Sequence, residues 1–262
     1  MSVALSMIRK IVTKVRSLKV KVQSQLDAFD LRPFERTTTP DDFPDLIFSS
    51  PTRALRVEMR HGPDREPETR SWIDTIPQGS VLWDVGANVG SFSIYAAKRG
   101  LRVVAVEPMP HNLLLLTRNI ALNAVDDMCE VLPIALSRLD GPAMMSFSSL
   151  EFGSAGHGFG TVDFFRGGRR QEAISQFRLA GLSLATAVMA MKLPAPSHLK
   201  IDVDGIDDQI VYGAEQFLAG VNGVCCETKL PLGRVEALFD FLSANGLELS
   251  HRSHRNAFFV RR

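Results

Sequence analysis

Two short apolar runs divided by a glycine turn organise the middle of this chain. Residues Val81–Val85 are apolar except for Asp84, the pattern of a strand buried on both faces. Gly86 and Gly90 bracket the turn that follows, and Asn88 between them tolerates the left-handed region. Residues 91–99 continue as a helix with Gly100 as its C-cap, and a second buried strand, 101–106, ends at Glu107. This is a βαβ unit, and its right-handed crossover brings Glu107 beside the first turn.

The same periodicities extend the pattern in both directions. Residues 53–60 alternate as a strand, Pro67 opens a helix, and 110–123 has helix length with 113–116 largely buried. Residues 130–136 supply a third strand and 143–149 a further β segment. The glycine-rich stretch 153–160 reads as a mobile loop. Residues 198–202 form another buried strand, with Lys200, Asp202 and Asp204 on one face at period two. Gly205 leads into a helix over 206–218. Residues 221–226 are a strand ending at Glu227, 232–245 are helical, and 257–260 close the sheet. No internal repeat is evident.

Composition narrows the class. A chain of 262 residues that is 45% hydrophobic buries one sizeable core, so residues 46–262 are expected to form one catalytic domain and 1–45 an arm. A net charge of +1 gives no reason to invoke nucleic acid, and outside the arm there is no basic and aromatic stripe. Cys129, Cys225 and Cys226 lack metal-site spacing and suit a reducing compartment. No apolar run reaches the roughly 18 residues of a membrane span, so a soluble, cytoplasmic protein is expected. Within the arm, Arg9, Lys10, Lys14, Arg16, Lys19 and Lys21 precede any acid, while Leu5, Ile8, Val12, Val15, Leu18 and Val22 recur at helical spacing. Two readings stay open for this amphipathic helix: peripheral contact with a membrane or partner, and packing against its own domain. Residues 31–51 read as a linker.

The glycine spacing bears on the ligand. A dinucleotide fingerprint is G-x-G-x-x-G, whereas this turn places Asp84 ahead of Gly86, Asn88 and Gly90. An acid beside the turn suits a cationic, amino-acid-bearing nucleotide better than a diphosphate, and S-adenosylmethionine has that chemistry, with one ribose for Glu107. An NAD-dependent oxidoreductase is the rival enzyme, disfavoured by the missing third glycine. A non-catalytic binding protein on the same fold is the rival outside enzymes.

At this point the chain resembles the FkbM family of S-adenosylmethionine-dependent methyltransferases, over residues 66–260. The resemblance rests on Glu66-Pro-Glu-Thr-x-x-Trp72, Asp84-Val-Gly-Ala-Asn-Val-Gly90, Glu107-Pro-x-Pro-x-Asn112 with Asn119 and Asn123, Ala135-Leu-Ser137, and Lys200-Ile-Asp-Val-Asp-Gly205. It implies a class I methyltransferase fold: a mostly parallel seven-stranded sheet, helices on both faces, and an antiparallel strand near the C-terminus. It also implies that Asp84, Gly86, Asn88 and Gly90 hold the methionine end of the cofactor, Glu107 the ribose and Ala135 the adenine edge. Asp204 and Asp207 stand where the family usually has Glu, and Ala185 where an acid is common. The expected reaction is O-methylation of a saccharide, glycolipid headgroup or other small molecule. Asp202 is the first candidate for the base and His157 the second, on a lid formed by the glycine-rich loop.

Overall fold

The computed structural model describes residues 36–38, 46–160, 164–166, 169–171 and 173–262. The basic amphipathic segment at 1–26 and most of the expected linker lie outside them. In chain order the strands are β1 (Arg36–Thr38), β2 (Ile47–Ser49), β3 (Val81–Val85), β4 (Arg102–Val106), β5 (Cys129–Leu132), β6 (Ala135–Leu136), β7 (Gly141–Phe147) and β8 (His157–Phe159). They continue as β9 (Phe164–Arg166), β10 (Arg169–Gln171), β11 (Ser175–Leu182), β12 (His198–Ile201), β13 (Gly223–Glu227), β14 (Leu247–Arg252) and β15 (Asn256–Arg261).

The central sheet has seven strands in the order β14-β15-β13-β12-β3-β4-β5. β3, β4, β5, β12 and β13 are parallel, and β15 runs antiparallel to both of its neighbours. With the order reversing beside β3, this is the class I methyltransferase arrangement. Helices cover both faces, which is why the parallel strands carry apolar side chains continuously: Leu82, Trp83, Val85, Val104, Val106, Leu199, Ile201, Val224 and Cys226 are all buried. Among the described residues, no helix is long and apolar enough to cross a membrane.

Register fixes what stands at the carboxyl edge. Val85 is paired with Ile201 and Ile201 with Cys226, so the next positions, Gly86, Asp202 and Glu227, follow one another across adjacent strands. Glu227 is in turn opposite Asn256. In an open α/β sheet the crevice outside these strand ends is where ligands bind.

Several expectations are corrected. Residues 53–60 are a helix, Arg53–His61, capped by Thr52, whose hydroxyl accepts from the Leu55 amide at 3.1 Å. Its buried residues, Leu55 and Met59, are four apart, so helical spacing prevails over the alternation. The expected strand 130–136 divides at Pro133, which offers no amide to the ladder. Ala135 and Leu136 pair instead with β11 in a second sheet of order β6-β11-β7-β8. The expected helix 206–218 is broken at Ala214 into Asp207–Gly213 and Glu215–Leu218. Residues 46–50 are part of the packed fold rather than a linker: Leu46, Phe48, Ser49 and Ser50 are buried. Two buried asparagines of the helix Pro110–Leu122 and its cap hold that segment. Asn119 accepts from the Ser49 amide at 2.7 Å and donates to the Val89 carbonyl at 2.8 Å. Asn123 accepts from Ile47 at 3.0 Å and donates back to its carbonyl at 2.7 Å.

Candidate active site

The turn after β3 is shaped by three positive φ angles, at Gly86 (82°), Asn88 (52°) and Gly90 (90°). Gly86 is required by a close approach of backbone: a Cβ there would stand 2.0 Å from the Asp202 carbonyl oxygen. At Gly90 a Cβ would meet Leu116 at 2.6 Å. The Asn88 amide donates to Glu107 Oε2 at 2.8 Å, and the Met109 amide donates to Oε1 at 2.9 Å. These two bonds aim the Glu107 carboxylate at the turn. Burial nevertheless raises its pKa to about 7, against the amides that favour the anion.

Asp84 does not line the crevice. It is 1% exposed, its Oδ1 accepts from Lys200 Nζ at 3.0 Å, and its Oδ2 accepts from the Ser93 hydroxyl at 2.6 Å. Both oxygens are engaged beneath the turn, so Asp84 braces β3 against β12 rather than meeting a ligand. Burial pushes the Lys200 ammonium pKa down, but the carboxylates of Asp84, Asp202 and Glu66 outweigh it and hold it above its usual value. Gly90 likewise stands behind the lining. Gly86, Asn88, Glu107 and Ala135 do line it.

The crevice is a cavity of about 420 Å³. One end is formed by the turn, Glu107, Asn112 and the apolar wall Ile134, Ala135 and Leu136. The other is formed by Glu66, Asp202, Asp204, Glu227, Lys229 and Arg255. Asp202 opens onto the cavity with 31% side-chain exposure, and its Oδ2 is 4.0 Å from Lys200 Nζ. Burial raises the Asp202 pKa, Lys200 opposes the rise, and Glu66 and Asp204 add to it. Glu227 forms an ion pair with Lys229, and burial together with the Asp202 charge pushes its pKa up to about 8. Glu66 Oε2 accepts from Asn256 Nδ2 at 2.9 Å and from the Thr69 hydroxyl at 3.1 Å.

Residues 153–157 roof the cavity, and they are tied down rather than free. Asn112 accepts from the Gly153 amide at 2.9 Å and donates to the Ser154 carbonyl at 3.0 Å. Asn88 Nδ2 donates to the Gly153 carbonyl at 3.2 Å, and Asp204 Oδ2 accepts from the Gly156 amide at 2.7 Å. His157 is consequently a buried wall residue at the start of β8, not a residue on a mobile loop. Its Nε2 is 3.2 Å from the Ser154 hydroxyl, which also stands 3.2 Å from His111 Nε2. Burial lowers the pKa of both imidazoles, leaving them neutral at pH 7.

Among the described residues, four buried side-chain atoms without a protein partner belong to residues that line this one cavity: Asn88 Oδ1, Ser91 Oγ, His157 Nδ1 and Glu227 Oε2. Unsatisfied buried groups are costly, so their convergence marks a surface prepared for a ligand's own polar groups. Asn88, His157, Asp202 and Glu107, residues singled out in the sequence, all line this crevice. Sequence reasoning missed the part of Ser91 and Glu66 in the lining. It also missed that Asp204 (φ 59°) fastens the roof. Asp207 binds the amides of Val203 at 3.1 Å and Gly205 at 3.0 Å, holding the loop after β12 from within.

A family model described as the methyltransferase FkbM domain matches residues 84–246. The chain belongs to this family. No curated protein matches it. Solved structures that resemble this FkbM methyltransferase include precorrin-6y C5,15-methyltransferase from Geobacter metallireducens, at 14% identity over 74% of this chain and 86% of that one, TM-score 0.42. A ribosomal protein L11 methylase from Lactobacillus delbrueckii matches at 12% identity over 76% and 80%, TM-score 0.40. M. capricolum TrmK in complex with S-adenosyl-homocysteine matches at 8% identity over 73% and 66%, TM-score 0.42. The cofactor of the FkbM methyltransferase is S-adenosylmethionine, and the orphaned Asn88 oxygen and the aimed Glu107 carboxylate are acceptors suited to its amino and ribose hydroxyl donors.

Proposed function

We propose that this methyltransferase transfers a methyl group to a hydroxyl of a saccharide, glycolipid headgroup or other small molecule. The observation that carries the reading is the convergence of orphaned polar atoms on a cavity that runs from Glu107 to Asp202. Bound here, S-adenosylmethionine would supply a methyl group activated by its sulfonium, for transfer to the acceptor oxygen. Glu107 would receive the ribose hydroxyls, Asn88 and the backbone around Gly86 would hold the amino-acid end, and Ala135 with Ile134 and Leu136 would present an apolar surface to the base.

A hydroxyl is a poor nucleophile until its proton has somewhere to go, and Asp202 is placed to take it. It stands beside Gly86 at the strand edge, opens onto the cavity and has a raised pKa, which brings it toward the working pH of a general base. His157 is the second candidate, since its Nδ1 is free and its ring neutral. The buried free thiols Cys129, Cys225 and Cys226 support a cytoplasmic setting.

Calorimetric titration with S-adenosylhomocysteine and with NAD tests the cofactor assignment, with Glu107→Ala as control. Binding of NAD instead would overturn it. For the base, Asp202→Asn is expected to retain S-adenosylhomocysteine affinity while turnover falls about 100-fold or more. Undiminished turnover transfers the role to His157.

A further inference from the structure

The acceptor end of the cavity holds one acid whose state the fold alone does not explain. Glu227 is 3% exposed, ends β13, and lines the cavity; Lys229 engages Oε1, and Oε2 has no partner. An orphaned carboxyl oxygen at such depth is costly in either protonation state, and burial beside Asp202 already pushes the group's pKa up to about 8. Among the described residues the Glu227 side chain makes one polar contact, the ion pair with Lys229, and contributes no capping bond or turn; the strand pairs through its backbone.

Its position relative to Asp202 is set by register. Ile201 pairs with Cys226 in parallel, so Asp202 and Glu227 are the next residues on neighbouring strands, leave the sheet in the same direction, and are separated by about 5 Å of strand spacing. Gly86 occupies the equivalent place on the other side of Asp202. The row therefore runs from the cofactor turn, through the base, to Glu227. An acceptor whose reacting oxygen lies at Asp202 reaches Glu227 with its next polar group.

We propose that Glu227 binds a second hydrogen-bond donor of the acceptor, so that the substrate is a diol-type or amino-alcohol-type molecule, a sugar ring being the natural case, rather than an isolated alcohol. This rests on the methyltransferase reading above and sharpens it. A neighbouring hydroxyl and a neighbouring ammonium share the required chemistry: each donates to Oε2. Lys229 and Arg255 at the rim keep the end from being uniformly anionic, but neither faces Glu227 Oε2 as a donor.

The test uses the full chain loaded with methyl-labelled S-adenosylmethionine and a panel of methyl hexopyranosides, their amino-sugar counterparts and their singly deoxygenated counterparts. The glycosides and amino sugars distinguish the two kinds of donor. Transfer is expected to glycosides or amino sugars with a second donor next to the methylated hydroxyl, and to fall at least tenfold in kcat/KM when that donor is removed. Glu227→Gln is expected to raise KM about tenfold or more with little change in kcat, and to respond weakly to the same deoxygenation, because the two changes remove one interaction. S-adenosylhomocysteine affinity within threefold of the parent shows that the variant is folded. The inference is overturned by equal transfer to deoxygenated acceptors, by a Glu227→Gln enzyme indistinguishable from the parent, or by no transfer to any member of the panel while S-adenosylhomocysteine still binds. Absent cofactor binding would instead sink the methyltransferase reading itself.

Discussion

Replacing Lys200 by Met removes one charge from a pair that is 3.0 Å apart and almost wholly buried, with side-chain exposures of 4% for Lys200 and 1% for Asp84. The methionine preserves the apolar stem, so the change is mainly electrostatic. Asp84 would then keep the Ser93 hydroxyl at 2.6 Å but lose its cation partner. Breaking a buried pair from one side costs about 3–5 kcal/mol, since the surviving charge is left without compensation. For a domain of this size that corresponds to a fall in Tm of about 6–20 °C. Urea unfolding with an unchanged m-value is the assay. The companion variant Lys200→Met with Asp84→Leu removes both charges, and its residual loss should be about 1–2 kcal/mol, mostly the orphaned Ser93 hydroxyl. A Lys200→Met loss below about 1 kcal/mol, or a double variant as unstable as the sum of the singles, would refute the claim that Asp84 is a brace satisfied by Lys200.

Gly86→Ala places a Cβ 2.0 Å from the Asp202 carbonyl at φ 82°, so S-adenosylhomocysteine affinity measured calorimetrically should fall more than tenfold, and near-parental affinity would count against the close approach. Asn119→Ala leaves the Ser49 amide and the Val89 carbonyl unpaired; a loss of about 2–4 kcal/mol in denaturant unfolding is expected, and a neutral result would mean water replaces the clamp. The Glu107 pKa is raised from its ordinary 4.5 to about 7, so the folded state keeps the proton while the unfolded chain ionises. This group therefore lowers stability as pH rises from about 4.5 to 7 and changes nothing above. Ribose hydroxyls favour the anion, so S-adenosylhomocysteine should bind more tightly at pH 8 than at pH 6, with proton release, and Glu107→Gln should bind weakly at both. A flat affinity in the parent protein contradicts the assignment.

The core sheet was legible because strands buried on both faces spell themselves out, as 81–85, 102–106 and 223–227 do. Turn residues with left-handed backbone were legible for the same local reason. What escaped were choices made by distant partners. Asp84 looked like a ligand contact because it precedes the glycine turn, yet Lys200, 116 positions away, claims it. The helix Arg53–His61 alternates in sequence, and only the burial of Leu55 with Met59 decides its period. The glycines of 153–160 suggested freedom, whereas Asn88, Asn112 and Asp204 bind that backbone from three separate elements.

Those three residues give the roof a property that neither ligand has alone. Asn88 and Asn112 fasten it beside the glycine turn and Glu107, and Asp204 fastens it beside Asp202, so one short segment is tied down along both parts of the cavity. On the proposed reading, one loosening of this segment would uncover the cofactor and the acceptor together. If release paces the cycle, Asn112→Ala, which frees the Gly153 amide and the Ser154 carbonyl and also removes a hydrogen bond to Glu107, should raise the steady-state rate relative to the first turnover. A burst of product in the parent enzyme that disappears in this variant is the kinetic signature of that shared gate.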